Sequence, residues 1–279
     1  MKKHFVCATW VLVLILTACK KNIKEDAPLS GRRPVPPMLK QMKWPSLARS
    51  TDFEYNPEST LAKSTTTGGT SAIVRSYRYN SNGLDQMSSD ASLSLNTFEY
   101  ENQSHRLIRM NRAIREAGGM RIYQFLEFIY DNNDKVSTIK FFKNNIIGAE
   151  LISTIAISYD TVTNLPSNMS MTDAQGKLAY IFNITAYSDP VDFNPLYFLE
   201  EQITELFPIY NLPGLTHLTK LHKIPKVFEI TAVNGSGSYL YYKFDSQLTI
   251  DAEKIQKQIN KIIDPVTSVQ TEIEVLFTY

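Results

Sequence analysis

Beyond residue 50 the chain alternates apolar and polar positions in short runs, and a recurring motif appears five times. The motif is an aromatic or aliphatic residue, any residue, a tyrosine, and then Asp, Asn or Glu. It occurs at residues 53–56, 77–80, 98–101, 128–131 and 157–160, and a leucine or valine follows five to seven residues after each tyrosine. Alternation with aromatic residues is typical of β-strands. Each motif therefore predicts a strand, a turn and a returning strand.

The turn residues favour an antiparallel order. An Asp or Asn side chain accepts hydrogen bonds from the backbone two or three residues later and so bends the chain. Asn82-Gly83 is the strongest signal, because glycine supplies the positive φ that tight hairpins require. The pattern predicts a mainly β fold: a curved antiparallel meander sheet built from repeated hairpins.

Two segments break this rhythm and predict helices. Residues 195–207 place leucine and isoleucine at helical spacing, and Pro208 ends the run. Residues 249–263 place Ile255, Ile259 and Ile262 in the same way, with Asp251 as the cap. We expect both helices to pack on the sheet, since a sheet with an aromatic face needs a cover, a ligand or a partner.

The N-terminus carries a signal of its own. Two lysines precede an apolar stretch at residues 5–16, which is too short for a confident membrane span. Leu16, Thr17, Ala18 and Cys19 then resemble a bacterial lipobox. The resemblance implies cleavage after residue 18 and a mature chain anchored by acylated (palmitate-bearing) Cys19. An ordinary signal peptide or a simple anchor helix remains the alternative.

The residues after Cys19 bear on location. Lys20 stands where an aspartate would resemble an inner-membrane retention signal, which favours the outer membrane. Residues 24–26, Lys-Glu-Asp, resemble the charged export tract of surface lipoproteins of Bacteroidota. We therefore expect a cell-envelope protein, displayed in the periplasm or at the cell surface.

The net charge of +1 conceals a division of the chain. Residues 19–50 hold eight Lys and Arg against two acids and are rich in proline, whereas residues 51–279 hold 19 against 26. We therefore divide the chain into a signal peptide (1–18), a basic Pro-rich tether (19–50) and a single β-rich domain (51–279). The acidic domain disfavours a nucleic-acid partner.

Candidate chemistry is sparse. Three histidines lie outside the signal, but His217 and His222 match no metal-ligand spacing, and Asp131 to Asp134 lacks the glycine and distal glutamate of a calcium loop. We predict no metal, no cofactor and no catalytic residue. Four arginines recur every third residue from Arg106 to Arg115, and in a strand this period sends successive side chains to opposite faces.

The tyrosines have two interpretations. As cross-strand pairs in a core they need no further function. On an open face, Tyr79, Tyr100, Tyr130 and Tyr159 would form a platform on which sugar rings stack. Burial is the usual outcome for aromatic residues, but both interpretations remain open.

At these tyrosines the chain resembles YD-repeat sequences, and more closely the uncharacterised Bacteroidota lipoproteins with degenerate Tyr-Asp repeats behind a lipobox. The Tyr-Asp pair itself stands only at Tyr130-Asp131 and Tyr159-Asp160. The resemblance implies a curved antiparallel sheet and no catalytic residues.

These features are compatible with three functions. The first is a non-catalytic binding or structural module, held at the membrane by its lipid and meeting polysaccharide or envelope proteins. The second is a carrier of an apolar ligand in a cavity lined by Phe125, Phe128, Leu199 and Ile203. The third is an enzyme whose site the sequence does not reveal.

Overall fold

The computed structural model describes residues 39–279 apart from 59, 69–71, 91–93, 192–222, 236 and 265–266. In these residues sixteen strands follow one another, each antiparallel to its neighbours in the chain, and β1 also pairs with β16 to close a barrel. The strands are β1 (Gln41–Trp44), β2 (Arg49–Tyr55), β3 (Leu61–Thr67), β4 (Ile73–Asn80), β5 (Gly83–Ser89), β6 (Ser94–Tyr100), β7 (Leu107–Glu116), β8 (Gly119–Tyr130), β9 (Val136–Asn144), β10 (Ala149–Tyr159), β11 (Pro166–Asp173), β12 (Leu178–Tyr187), β13 (Pro225–Asn234), β14 (Gly237–Asp251), β15 (Lys254–Ile263) and β16 (Gln270–Thr278).

The predicted fold class, a curved sheet covered by two helices, is wrong. The hairpins are consecutive and antiparallel, but the sheet closes on itself, so its inner face is covered by the sheet itself. The single helical turn in the described part of the chain is a 3-10 turn at Pro45–Leu47. Among the residues described, no helix is long and apolar enough to cross a membrane.

The segment predicted as a helix over 249–263 is a hairpin. β14 ends at Asp251, β15 begins at Lys254, and Ala252 and Glu253 turn the chain with φ angles of 47° and 63°. A bulge shifts the register here, since Thr249 faces Lys257 while Ile250 faces Ile255. The bulge puts both Ile255 and Gln258 in the interior, three residues apart. Of the isoleucines on which the helix prediction rested, Ile262 stands opposite Phe244 of the core and Ile259 opposite the exposed Gln247, so the two lie on opposite faces of the sheet.

The other predicted helix, residues 195–207, lies outside the described residues, as do the lipobox and residues 19–38 of the predicted tether. The end of the predicted tether is part of the barrel. Met42 on β1 is fully buried opposite Phe277 of β16, and β1 pairs β2 on its other side. The barrel therefore begins before residue 51.

The barrel interior is a packed core. Buried apolar side chains from strands all around the barrel join one cluster, in which Phe182 stacks on Phe228 at 4.7 Å and Phe228 on Phe244 at 4.5 Å between ring centres. Buried polar groups also occur, among them Thr51, hydrogen-bonded to Thr66, and Gln258, hydrogen-bonded to Ser246. Side chains fill the barrel at the level of these residues.

The outer face carries charge. Cross-strand neighbours share a face, and the pairs Glu54 with Lys63, Glu229 with Lys243, and Glu127 with both Arg109 and Lys140 stand opposite one another. Lys63 and Lys243 each lie 2.9 Å from their glutamate partner. An apolar interior with a charged exterior is the reverse of the pattern in strands that cross a bilayer.

The Ala252–Glu253 turn gives a direct test of the corrected hairpin. A side chain with positive φ is strained, so Ala252→Asn with Glu253→Gly should raise the free energy of unfolding by about 1 kcal/mol in urea denaturation. Thr249→Gly, within β14, should lower it. If Glu253→Gly instead destabilises by about 1 kcal/mol, the segment behaves as a helix and the hairpin is wrong.

Candidate functional site

One end of the barrel, which we call the tyrosine rim, is held by a repeated hydrogen bond. The tyrosine that ends an outgoing strand donates its hydroxyl to the backbone carbonyl at the start of the preceding strand. Five such bonds measure 2.5 to 3.0 Å: Tyr55 to Leu39, Tyr100 to Leu84, Tyr130 to Leu107, Tyr159 to Val136, and Tyr187 to Pro166. Tyr79, at the end of β4, also hydrogen-bonds the backbone of Leu61, at the start of β3. We call these six tyrosines the tyrosine ladder.

Each tyrosine of the ladder lies beyond the point where backbone pairing between its own strand and the preceding strand ends. The last paired residues of β7 and β8 are Arg109 and Glu127, and Tyr130 lies three residues beyond. A register shift also occurs just before the tyrosine in each of the six hairpins. Bulges bend a strand and increase its twist. The tyrosine hydroxyl thus joins strand ends that the bulge has turned apart.

The residues predicted as a sugar platform, Tyr79, Tyr100, Tyr130 and Tyr159, are all members of the ladder. Their rings are partly buried and pack against the interior core. Burial raises the pKa of each hydroxyl above the usual value for tyrosine, because the charged phenolate would lose solvation. The hydroxyls of Tyr100, Tyr130 and Tyr159 each donate to a backbone carbonyl, so these donors are not available to a ligand.

The residue after the motif tyrosine shapes the turn, as predicted. The Oδ1 atom of Asp131 accepts bonds from the backbone N–H groups of Asn133 and Lys135, and that of Asp160 from Val162 and Thr163. These bonds also lower the pKa of the Asp160 carboxyl. Among the described residues no three His, Cys, Asp or Glu side chains gather closely enough to hold a metal ion.

The arginine series does not form one patch. Arg109 stands opposite Glu99 and Glu127 on the charged outer face, whereas Arg112 stands opposite Asn96 and Gln124 on the other face. The prediction that successive arginines point to opposite faces is confirmed. The Arg109 guanidinium lies 3.6 Å from the ring centre of Phe125, and this cation–π contact covers an apolar ring on the exterior.

A cleft of about 780 Å³ opens at the tyrosine rim, between the β2–β3 and β4–β5 turns. Eight residues line it: Asn56, Glu58, Thr60, Tyr77, Arg78, Tyr79, Asn80 and Ser81. Two of the lining side chains are held by hydrogen bonds to other residues. Arg78 donates to Asp85 from Nε at 2.9 Å and Nη2 at 2.5 Å, and Tyr77 shares a 3.0 Å bond with the Ser64 hydroxyl.

Glu58 differs from the rest of the lining. It is exposed, and it forms no hydrogen bond or ion pair with the described residues. Amide, hydroxyl and guanidinium groups line the same cleft, together with the tyrosines Tyr77 and Tyr79. Such a set of groups suits a ligand with many hydroxyls, because carboxylates and amides bind hydroxyls while rings pack on apolar faces.

The residues predicted to line an apolar cavity are not brought together. Phe128 lies in the interior core, opposite Ile139. Phe125, three residues earlier in the same strand, stacks on Phe142 at 4.6 Å on the opposite face. Leu199 and Ile203 lie outside the described residues.

Sequence reasoning missed part of this site. Tyr187 belongs to the ladder, but serine follows it in place of Asp, Asn or Glu, so the motif passes over it. Glu58 and Ser81 lie in turns, and nothing in the sequence marks either residue as part of a binding site. Tyr55 stood in the first motif, and its partner Leu39 precedes every predicted strand.

Comparisons with known proteins give structural resemblances only. No family model matches the chain, and no curated protein matches it. A porin-like protein from Bacteroides vulgatus ATCC 8482 shares 11% identity, covers 86% of this chain and 98% of its own, and gives a TM-score of 0.49. A porin-like protein from Bacteroides uniformis ATCC 8492 shares 10% identity over 86% of this chain and 97% of its own, with a TM-score of 0.36.

A third similar structure is a protein of unknown function from Bacteroides fragilis NCTC 9343. It shares 11% identity over 68% of this chain and 94% of its own, with a TM-score of 0.28. All three TM-scores are below one half, so these similarities carry no argument about function.

The ladder can be tested by removing single hydroxyl groups. Tyr130→Phe and Tyr159→Phe should each lower the free energy of unfolding by about 1 kcal/mol, because a backbone carbonyl loses its donor. Urea denaturation of the two single variants and the double variant measures this loss.

Tyr239→Phe is the matched control, since Tyr239 is 47% exposed at the other end of the barrel. It should change stability by less than about 0.5 kcal/mol. Equal changes in the free energy of unfolding for Tyr130→Phe and Tyr239→Phe would show that the bonds of the tyrosine ladder do not stabilise the protein.

Proposed function

We propose that this protein is a lipid-anchored, non-catalytic protein of the cell envelope whose barrel binds a polyhydroxylated ligand, such as an oligosaccharide, at the tyrosine rim. The polar cleft between the β2–β3 and β4–β5 turns is the observation that carries this proposal. The lipobox-like sequence at residues 16–19 supports the anchor and the envelope location.

The cleft fits a saccharide in size and chemistry. A volume of about 780 Å³ lies within the range of small-molecule sites. Tyr79 supplies aromatic surface, while Asn56, Asn80 and Ser81 supply donors and acceptors. Of the four tyrosines predicted as a sugar platform, Tyr79 is the one that lines the cleft.

Hydrogen bonds within the protein already orient several side chains of the cleft. Asn80 Oδ1 accepts bonds from the backbone N–H groups of Asn82 and Gly83, and Asn56 donates to the Thr60 hydroxyl at 3.0 Å. The ladder bond of Tyr79 fixes the ring beside them. A site whose side chains are already oriented loses less entropy on binding, which favours affinity for a flexible sugar.

Binding to the cleft can be tested with the full chain purified from membranes in detergent. We expect saturable binding to one or more fragments of envelope or capsular polysaccharide in a glycan screen. Glu58→Ala should weaken that binding about tenfold or more, since a charged hydrogen-bond acceptor is lost. The measurement is isothermal titration calorimetry.

Glu272→Ala, an exposed glutamate on β16, is the matched control and should bind like the parent chain. Two results would contradict saccharide binding at the cleft: no saccharide binds at all, or the Glu58 and Glu272 variants bind equally well.

The anchor has a separate test. Cys19→Ser should abolish incorporation of radioactive palmitate and release the chain from the membrane fraction, because the acceptor thiol is gone. Cys7→Ser is the control, since Cys7 lies in the predicted signal peptide, and it should keep the label. Retention of label by the Cys19 variant would overturn the anchor without affecting the cleft.

A further inference from the structure

The arginine series contains three guanidinium groups whose Nε–H is buried without a hydrogen bond: Arg106, Arg109 and Arg112. Acidic groups balance the first two. Nε of Arg106 lies 3.1 Å from Oδ1 of Asp134, and Arg109 stands between Glu99 and Glu127 on the outer face. Arg112 differs, since within the described part of the chain it forms no ion pair and no hydrogen bond. Its positive charge has no acidic partner there.

Arg112 lies on the inner face of the barrel beside two amide side chains. It stands opposite Asn96 and Gln124, and Asn96 in turn stands opposite Met87 of the interior core. Asn96 is only 3% exposed, yet its Oδ1 atom has no hydrogen bond. Neither amide side chain has a hydrogen-bond partner among the described residues. A buried amide without a partner is costly, so it indicates a water molecule or a ligand that completes it.

Polar residues farther round the same inner face are bonded to one another. Thr51 shares a 2.8 Å hydrogen bond with Thr66, and Nη1 of Arg75 donates to the Thr66 hydroxyl at 2.9 Å. All three residues are at most 3% exposed. The barrel thus supplies internal partners on β2 to β4 but none for the side chains around Arg112. We call the latter group the inner polar cluster: Asn96, Arg112 and Gln124.

The inner polar cluster lies where the interior opens to solvent. Along β8, Leu126 is fully buried, while Gln124, two residues nearer the β7–β8 turn, is half-buried. Lys143 stands opposite Gln124 and is exposed, and Glu150 stands opposite Lys143. Because the charges of Lys143 and Glu150 offset each other, Arg112 gives the cluster its net positive charge. A small solute can reach it from the end of the barrel opposite to the tyrosine rim.

We propose that the inner polar cluster binds an oxyanion, a carboxylate or phosphate group, that has a hydroxyl group beside it. The guanidinium of Arg112 donates charge-assisted hydrogen bonds to the oxyanion. Oδ1 of Asn96 accepts the neighbouring hydroxyl, and the amide of Gln124 supplies a further donor. The ring centre of Tyr123 lies 5.6 Å from the guanidinium carbon of Arg112, and this cation–π contact helps to orient the guanidinium. The site is separate from the cleft at the tyrosine rim and independent of any saccharide bound there.

Two small hydroxylated anions test this proposal: glycerate for the carboxylate and glycerol 3-phosphate for the phosphate. Isothermal titration calorimetry on the full chain in detergent should show saturable binding of at least one of them at a single site. Glycerol, which lacks the oxyanion, should not bind. The anion that binds identifies the group that the site accepts. Saturation by neither anion, or equal binding of glycerol, overturns the proposal.

Arg112→Gln removes the charge and keeps a polar side chain, so it should weaken anion binding about tenfold or more. Arg109→Gln is the matched control, because Arg109 lies on the same strand and has the same buried Nε but stands between two glutamates outside the barrel. It should bind the anion like the parent chain. Equal affinities of the Arg112 and Arg109 variants would place the anion elsewhere and overturn the proposal.

Asn96→Asp gives a second test, in which the protein supplies its own carboxylate opposite Arg112. The variant should fold, since the new charge has a partner, and it should bind the anion about tenfold more weakly or worse, since Arg112 is then occupied. Anion binding at the parent affinity in this variant contradicts the site.

NMR of the parent chain with isotope-labelled arginine reports on the site without any substitution. The Nε–H signal of Arg112 should shift as the anion is added, whereas that of Arg109 should stay in place. Saturable binding that leaves the Arg112 signal unchanged overturns the proposal.

A crossed comparison separates this site from the cleft. Glu58→Ala should keep the anion affinity of the parent chain, and Arg112→Gln should keep its saccharide affinity. If Glu58→Ala abolishes anion binding as well, the anion binds in the cleft and the inner site is wrong.

Discussion

The bond from a rim tyrosine to the carbonyl of the preceding strand is the constraint on which the barrel depends. Each hairpin has a bulge just before its tyrosine, and backbone pairing to the preceding strand stops short of the rim. Without the hydroxyl of Tyr130, the carbonyl of Leu107 would lose its donor at the point where β7 and β8 part. Because the bond repeats along β1 to β12, it holds these strand ends together, including those next to the turns that form the cleft.

The sequence predicts the hairpins and turns of the barrel but not the pairing of β1 with β16 that closes it. The tyrosine motif identifies hairpins, and Asp131 and Asp160 identify their turns, because those signals lie within a few residues. Closure depends on Met42 meeting Phe277, and no local pattern joins residues so far apart. The helix predicted at 249–263 failed for another reason: Ile255, Ile259 and Ile262 have helical spacing in the sequence, but they lie in a strand and do not share one face. Glu58 is invisible to sequence reasoning, since a single polar turn residue looks like any other.

The two rims divide the surface into two kinds of chemistry. The tyrosine rim bears the cleft, whereas the opposite end of the barrel exposes Ile146 and Ile147. The charged outer face between the two ends suits neither a bilayer interior nor an apolar partner.

Alkaline titration of the tyrosines tests the ladder most directly. A tyrosine whose folded pKa is raised stabilises the fold fully below its unfolded pKa of about 10, and that contribution is lost as the pH rises through the folded pKa. Residue-resolved NMR of ring-labelled tyrosine should therefore show Tyr55, Tyr79, Tyr100, Tyr130, Tyr159 and Tyr187 still protonated above pH 10, and the protein losing stability from that pH upward. Ionisation of these six near pH 10, as in an unfolded chain, with stability unchanged, would contradict the ladder.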